Sequence, residues 1–153
     1  KVSGSVSKKT SYVVAGEAAG QICVAGLPTN EDFAGVEAKL RSMEKQVTVD
    51  GCTVQVTWHT LFPAMERSAG SARLYRCAAA AAQTLGLEPE EASDPSATDG
   101  TWISTLGVPA LDALGAMAEG IHTMEEHVSV SSIGERLALA ALTIVEVCRG
   151  FRP

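Results

Sequence analysis

His122 is the residue in this chain whose type and surroundings best suit it to do chemistry. It sits in Gly120-Ile121-His122-Thr123-Met124-Glu125-Glu126, downstream of Thr98-Asp99-Gly100-Thr101 and of the run from Gly107-Val108-Pro109 to Leu114-Gly115. Imidazole is a common zinc ligand, and neighbouring glycines let the backbone approach a metal or substrate closely. One histidine does not make a metal site, because catalytic zinc takes about three protein ligands and leaves a position open for water. The other two histidines, His59 and His127, stand at no recognised ligand spacing from it. A metal site here must draw most of its parts from outside this chain.

Composition limits the partners. With 153 residues, 46% hydrophobic and 20% charged, the chain has the make-up of a folded globular protein of one compact domain or pieces of two. Aromatics are only 5%, so the core must be built from Val, Leu, Ile and Ala. The net charge is −6 and the longest basic block is Lys8-Lys9, which argues against nucleic acid or an anionic membrane surface as a partner. The most apolar stretch, Leu137 to Val147, is too short to span a bilayer, and no signal-peptide pattern opens the chain. The cysteines Cys23, Cys52, Cys77 and Cys148 form no C-x-x-C pair. They are expected to be reduced, mostly buried thiols of a cytoplasmic protein, with a Cys23–Cys52 bridge between neighbouring strands as the open alternative.

The elements that would position these residues alternate in type. Residues 2–7 and 11–24 read as a strand hairpin interrupted at Gly16 and Gly20. Thr29, with Asp32 three residues on, starts a helix whose apolar face is Phe33, Val36, Leu40, Met43 and Val47. Asp50-Gly51 turns the chain, and Val54, Val56 and Trp58 alternate as a strand. The character changes at Pro63. Ser68 to Leu87 reads as an alanine-rich helix stopped by Gly86, and a polar loop from Glu88 to Asp99 follows. Thr101 to Leu106 predicts a short helix and Val108 to Leu114 a short buried strand. The last helix is expected to start with a capping box of Ser132 and Glu135, and to turn inward a stripe of Ile133, Leu137, Ala141, Ile144 and Cys148. The whole is an α/β pattern of two unequal units meeting near residues 60–66.

From Pro63 onward the chain resembles a known family. Thr98-Asp99-Gly100, Gly107-Val108-Pro109, Leu111-Asp112-Ala113-Leu114-Gly115 and Gly120-Ile121-His122, with Glu126 four residues later, follow the order and spacing of the C-terminal part of the M20 zinc metallopeptidases and amidohydrolases, the glutamate carboxypeptidase-like enzymes. The resemblance implies a zinc-binding catalytic domain interrupted by a ferredoxin-like lid that often mediates dimerisation. Residues 1–62 would then be the second half of the lid, and 63–153 the closing part of the catalytic domain. It further implies that the family's His-x-Asp motif, bridging carboxylate and general-base glutamate lie upstream of this chain, so that the chain alone is inactive.

By the same resemblance His122 is the last ligand of a two-zinc site, which cleaves an amide or N-acyl-amino-acid bond with metal-activated water. Thr98, Asp99 and Gly100 are expected to bind the polar end of a small amide or peptide substrate, through a hydroxyl, a braced turn and a close backbone approach. The plain alternative is a turn before a helix. Glu126 is expected to orient the loop, Glu125 and His127 to be solvated, Asp112 to stabilise its loop, and Trp102 to pack in the core. Two positions depart from the family pattern. Gly26 stands where the lid carries an arginine, and Tyr12 where it favours asparagine. Glycine cannot replace a bidentate guanidinium, which separates carboxylate recognition from the metal chemistry. The departures also motivate a second hypothesis, a non-catalytic relative acting in dimerisation or binding, and a plain α/β module without metal stands third.

Overall fold

A computed structural model describes residues 2–6, 16–94 and 96–150. They form two compact units, one of residues 1–66 with 93–97, the other of 67–92 with 98–153.

In the first unit strand β1 (Val2–Val6) pairs antiparallel with β2 (Gly20–Val24), Val2 opposite Val24 and Val6 opposite Gly20. The expected strand residues Val13 and Val14, and Tyr12, lie outside the described residues. Helix α1 (Asn30–Ser42) starts as its sequence dictates: the Thr29 hydroxyl accepts the Asp32 N–H at 3.0 Å, and Glu31 and Asp32 sit at the positive end of the helix dipole. Asn30 ties this helix start to the segment beyond. Its side-chain oxygen accepts the Ala64 N–H at 2.9 Å, and its own N–H donates to the Glu66 carboxylate at 2.8 Å.

The strand expected at Val54–Trp58 does not form. Its backbone is held by side chains instead: the Val56 N–H donates to the Glu44 carboxylate at 2.7 Å, and the Val56 carbonyl accepts from Arg41 at 3.2 Å. Alternation supplied the pattern of a strand, but a ladder also needs a neighbouring strand, and none of the described residues provides one. Ala64 is the one buried apolar residue of this unit among those described.

The second unit is built on two helices. Helix α2 (Ala69–Thr84) opens with a reciprocal capping box, in which Ser68 Oγ accepts the Ser71 N–H and Ser71 Oγ accepts the Ser68 N–H. It closes at Gly86, whose φ of 73° is the left-handed conformation glycine tolerates. There Leu87 N–H returns to the Ala82 carbonyl at 2.9 Å and Gly86 N–H to the Gln83 carbonyl at 3.1 Å, the paired bonds of a Schellman motif.

Helix α4 (Ser132–Gly150) packs on α2, and the two run antiparallel. Arg73 near the start of α2 donates to the Gly150 carbonyl at the end of α4, while Ala81 and Ala82 near its other end meet Leu139. Leu85, Leu87, Leu114 and Leu142 close around that contact. Between them in sequence come α3 (Asp99–Thr105) and a two-strand ladder of β3 (Ala118–Glu119) with β4 (His127–Val128). The exposed Arg67–Glu91 pair bridges the start of this unit to its acidic loop at 2.6 Å; the hydrogen bond from Arg67 holds the Glu91 carboxyl below the usual carboxylate range.

Four expectations are corrected here. The stripe Ile133, Leu137, Ala141, Ile144 and Cys148 faces solvent, and Ser132, Leu139 and Thr143 are the buried positions of α4. The helix is apolar on both sides, so periodicity alone could not select the inner one. Its expected capping box is not made, because the Ser132 hydroxyl is engaged by Met117 and Ser129. The segment Val108–Leu114 is irregular, not a buried strand, with Val108 exposed and Ala113 in the left-handed region. The cysteines are free thiols, but Cys23, Cys52 and Cys148 are exposed and Cys77 half-buried, so they are not mostly buried and no Cys23–Cys52 bridge forms.

Gly70 shows how closely α2 approaches the segment after α3. A Cβ built there would lie 2.3 Å from Pro109 Cγ and 2.8 Å from its Cβ, and a proline ring cannot swing aside. In an open helix, Gly→Ala adds up to about 1 kcal/mol of stability. Here the clash decides the sign: Gly70→Ala is expected to destabilise by about 1–3 kcal/mol, as overpacking does, read as a lower denaturation midpoint. A stabilised variant would contradict this contact.

Candidate functional site

His122 lies in the loop of the β3–β4 hairpin. Ala118 pairs with Val128 and Glu119 with His127, and the Ser129 N–H donates to the Met117 carbonyl at 2.9 Å, so the hairpin is closed at its base. The loop from Gly120 to Glu126 is knitted internally. The Thr123 N–H and hydroxyl both donate to the Gly120 carbonyl, at 2.9 and 2.7 Å, and the Glu126 N–H donates to the Thr123 carbonyl at 3.3 Å. Gly120 is required twice over. Its φ is 66°, and a Cβ there would stand 3.0 Å from the Glu125 carbonyl oxygen.

His122 also has a positive φ, 66°, an uncommon conformation for a residue with a side chain. Its N–H donates to a Glu126 carboxylate oxygen at 2.9 Å. That bond gives Glu126 the loop-orienting position expected of it: the carboxylate holds the backbone from which the imidazole projects. Glu125 is exposed and binds through its backbone. His127 is likewise exposed, with Nδ1 2.7 Å from the Glu125 carbonyl and Nε2 3.9 Å from Glu119.

Thr98, Asp99 and Gly100 form the start of α3. The Thr98 hydroxyl accepts the Gly100 N–H at 3.1 Å, and its carbonyl accepts the Thr101 N–H and hydroxyl. The Asp-Gly pair thus opens a helix, and Thr98 is its cap. The cap uses one lone pair of the Thr98 oxygen, which leaves its second lone pair and its proton available to a ligand.

All three residues line an open groove of about 510 Å³, together with Leu74, Ile103, Pro109, Leu111, Asp112 and Thr143 among others. Asp112 braces its own turn, its carboxylate accepting the Ala113 N–H at 2.7 Å. Trp102 is exposed and not core. The structure therefore brings Thr98, Asp99, Gly100 and Asp112 to one groove, of which His122 is not a lining residue. Sequence reading missed Arg136 and gave Ser132 a capping role, whereas both grip the chain between groove and hairpin; an arginine one turn into a helix carries no signal of its target.

Among the described residues no three His, Cys, Asp or Glu side chains converge as a metal site. His122 presents an exposed imidazole on a backbone held by Glu126, and one imidazole does not make a metal site.

Residues 4–146 match the family model for peptidase family M20/M25/M40, which spans nearly the whole chain. The chain belongs to this family. The M20/M25/M40 match runs through both the Thr98–Gly100 helix start and the His122 hairpin. It makes the chain a member of a family of peptidases, hydrolytic enzymes that generally bind zinc. No curated protein matches the chain. No helix among the described residues is long and apolar enough to cross a membrane.

Proposed function

We propose that this chain is part of a zinc-dependent amidohydrolase or peptidase that cleaves an amide or N-acyl-amino-acid bond, with His122 as one zinc ligand and Thr98, Asp99 and Gly100 at the substrate's polar end. The observation that carries the reading is the His122 loop. An imidazole stands on a left-handed backbone fixed by Glu126 and by the Gly120 close approach, inside the family match. Backbone strain of this kind, held by surrounding bonds, belongs to functional positions. Zinc, when bound, polarises a carbonyl and makes hydroxide available near neutral pH.

The remaining ligands and the general base come from residues outside those described here, in the part of the fold that precedes the lid. This chain is then the C-terminal portion, residues 1–62 belonging to the lid and pairing two subunits, and by itself it does not turn over substrate. Within the family, the glutamate carboxypeptidase-like enzymes serve as the analogy for this reading.

The test is metal removal. The full-length protein is expected to carry zinc by elemental mass spectrometry, to hydrolyse members of a panel of N-acyl amino acids and dipeptides, to lose that activity to a chelator, and to regain it with zinc. A metal-free full-length protein with no hydrolysis would sink the reading.

A second reading, a non-catalytic relative acting in dimerisation or binding, is favoured by Gly26. Its φ of 74° is left-handed, so an arginine is not merely missing; the backbone there is shaped for glycine. Zinc content separates the two readings, since the second needs none.

A further inference from the structure

Between the groove and the hairpin the chain passes through residues 113–117. This stretch forms no helix and no ladder strand, yet it decides where both neighbours sit. Ala113 has a φ of 62°, a conformation that a residue with a Cβ does not keep unaided. What holds it is α4. Arg136 Nη2 donates to the Ala113 carbonyl at 2.6 Å, and Arg136 Nε donates to the Gly115 carbonyl at 2.9 Å. Two residues on, the Ser132 hydroxyl accepts the Met117 N–H at 2.9 Å and donates to the Ser129 carbonyl at 2.7 Å. Met117 in turn accepts from Ser129 at the hairpin base.

We propose that Arg136 and Ser132 are positioning residues, a latch on the first two turns of α4 that sets the groove wall at Ala110–Leu114 and the His122 hairpin as one rigid piece. The chemistry of the latch favours this. A guanidinium presents fixed parallel donors, so it matches two carbonyls two residues apart, and bonds from a charged donor are about twice as strong as neutral ones. Ser132 is buried, so its bond to Met117 meets little competition from water. The helix bearing both residues is anchored through Leu139, one turn beyond Arg136, in the core formed with α2. A rigid helix pair thereby fixes, through three bonds, a strained segment that has one end in the groove and the other at the base of the His122 loop. What the hairpin does rests on the hydrolase reading above; how it is held does not.

The experiment compares the full-length protein with Arg136→Met, Arg136→Lys and Ser132→Ala, by hydrogen–deuterium exchange and by zinc competition against a chelator. Arg136→Met is expected to speed exchange about tenfold or more, not only at 113–117 but also across 118–128, because losing the latch lowers the free energy of local opening. Arg136→Lys, which keeps the charge but not the fork, is expected to restore part of that protection. Ser132→Ala, which cuts the latch at its other end, is expected to loosen the groove wall as well as the hairpin. Zinc affinity in Arg136→Met is expected to fall about tenfold, the effect of losing an outer support of a metal ligand.

Faster exchange confined to 113–117, with the hairpin at its original rates, overturns the coupling whatever the zinc result. A full-length protein that binds no zinc refutes the hydrolase reading, and the exchange pattern still judges the latch. Should Arg136→Met fail to fold, Arg136→Lys and Ser132→Ala decide by the same criterion.

Discussion

Replacing His122 with asparagine in the full-length protein is expected to remove bound zinc and to slow amide hydrolysis by on the order of a thousandfold, equivalent to about 4 kcal/mol of lost transition-state stabilisation. Asparagine is the informative substitution because residue 122 has a φ of 66°. Asparagine, like histidine, is enriched in this left-handed region, whereas alanine would add backbone strain to the loss of the ligand. The Glu126 bond is to the His122 backbone N–H, so it survives the exchange of side chains. The variant therefore keeps the loop and loses only the imidazole. Zinc content by mass spectrometry and kcat/KM on an N-acyl amino acid are the two readouts. An asparagine variant with full zinc and full activity would remove His122 from the metal site, and the reading of the loop with it.

Leu139→Ala is expected to destabilise the protein by about 3–5 kcal/mol, toward the upper end of buried leucine truncations. Leu139 is 3% exposed, and its partners in the core are Ala81 at 1% and Ala82 at 0%. Alanine side chains have no rotamers with which to fill a vacated space, so the cavity persists and the surrounding contacts are lost. Against a total stability of about 5–15 kcal/mol this is a large share. It should appear as a lower urea midpoint at unchanged slope. Leu137→Ala is the internal control: at 70% exposed, on the opposite side of the same helix, it should cost less than about 0.5 kcal/mol. Equal costs at the two positions would mean that the packing of α4 on α2 is not the one described.

How much of this was legible in the residues depended on whether the information was local. The Thr29–Asp32 cap and the stop at Gly86 are made within a few residues of the backbone they bind, and each is read directly from sequence; the short helix expected from Thr101 begins two residues earlier, at Asp99. The position of Glu126 is local too, a carboxylate four residues from the N–H it accepts. Failures came where a partner far along the chain decides. Val54, Val56 and Trp58 alternate like a strand, but no described strand lies beside them, and Glu44 and Arg41 take the backbone groups instead. Ser132 and Glu135 have the spacing of a capping box, yet Met117, fifteen residues back, engages the serine. The true reciprocal box, Ser68 with Ser71, uses a serine where glutamate or glutamine is the usual signal.

The candidate site divides in the same way. Its residue types and their order carried the family resemblance, and the family match bears out that much. Which of them share a groove was not legible. Asp112 joins Thr98, Asp99 and Gly100 because Pro109 lies against Gly70, a contact across thirty-nine residues that no spacing rule encodes. Nor does anything in an isolated arginine at 136 show that it reaches back to the carbonyls of residues 113 and 115.

Helix α4 has apolar side chains on opposite flanks: Leu139 turns to α2, while Ile133, Leu137 and Ile144 turn the other way. The second flank is exposed apolar surface, so a polar substitution there is expected to leave folding intact and to reduce association. In mutational screens, therefore, the two flanks of one helix should sort into different phenotypes, the Leu139 side into unfolding and the Leu137 side into association.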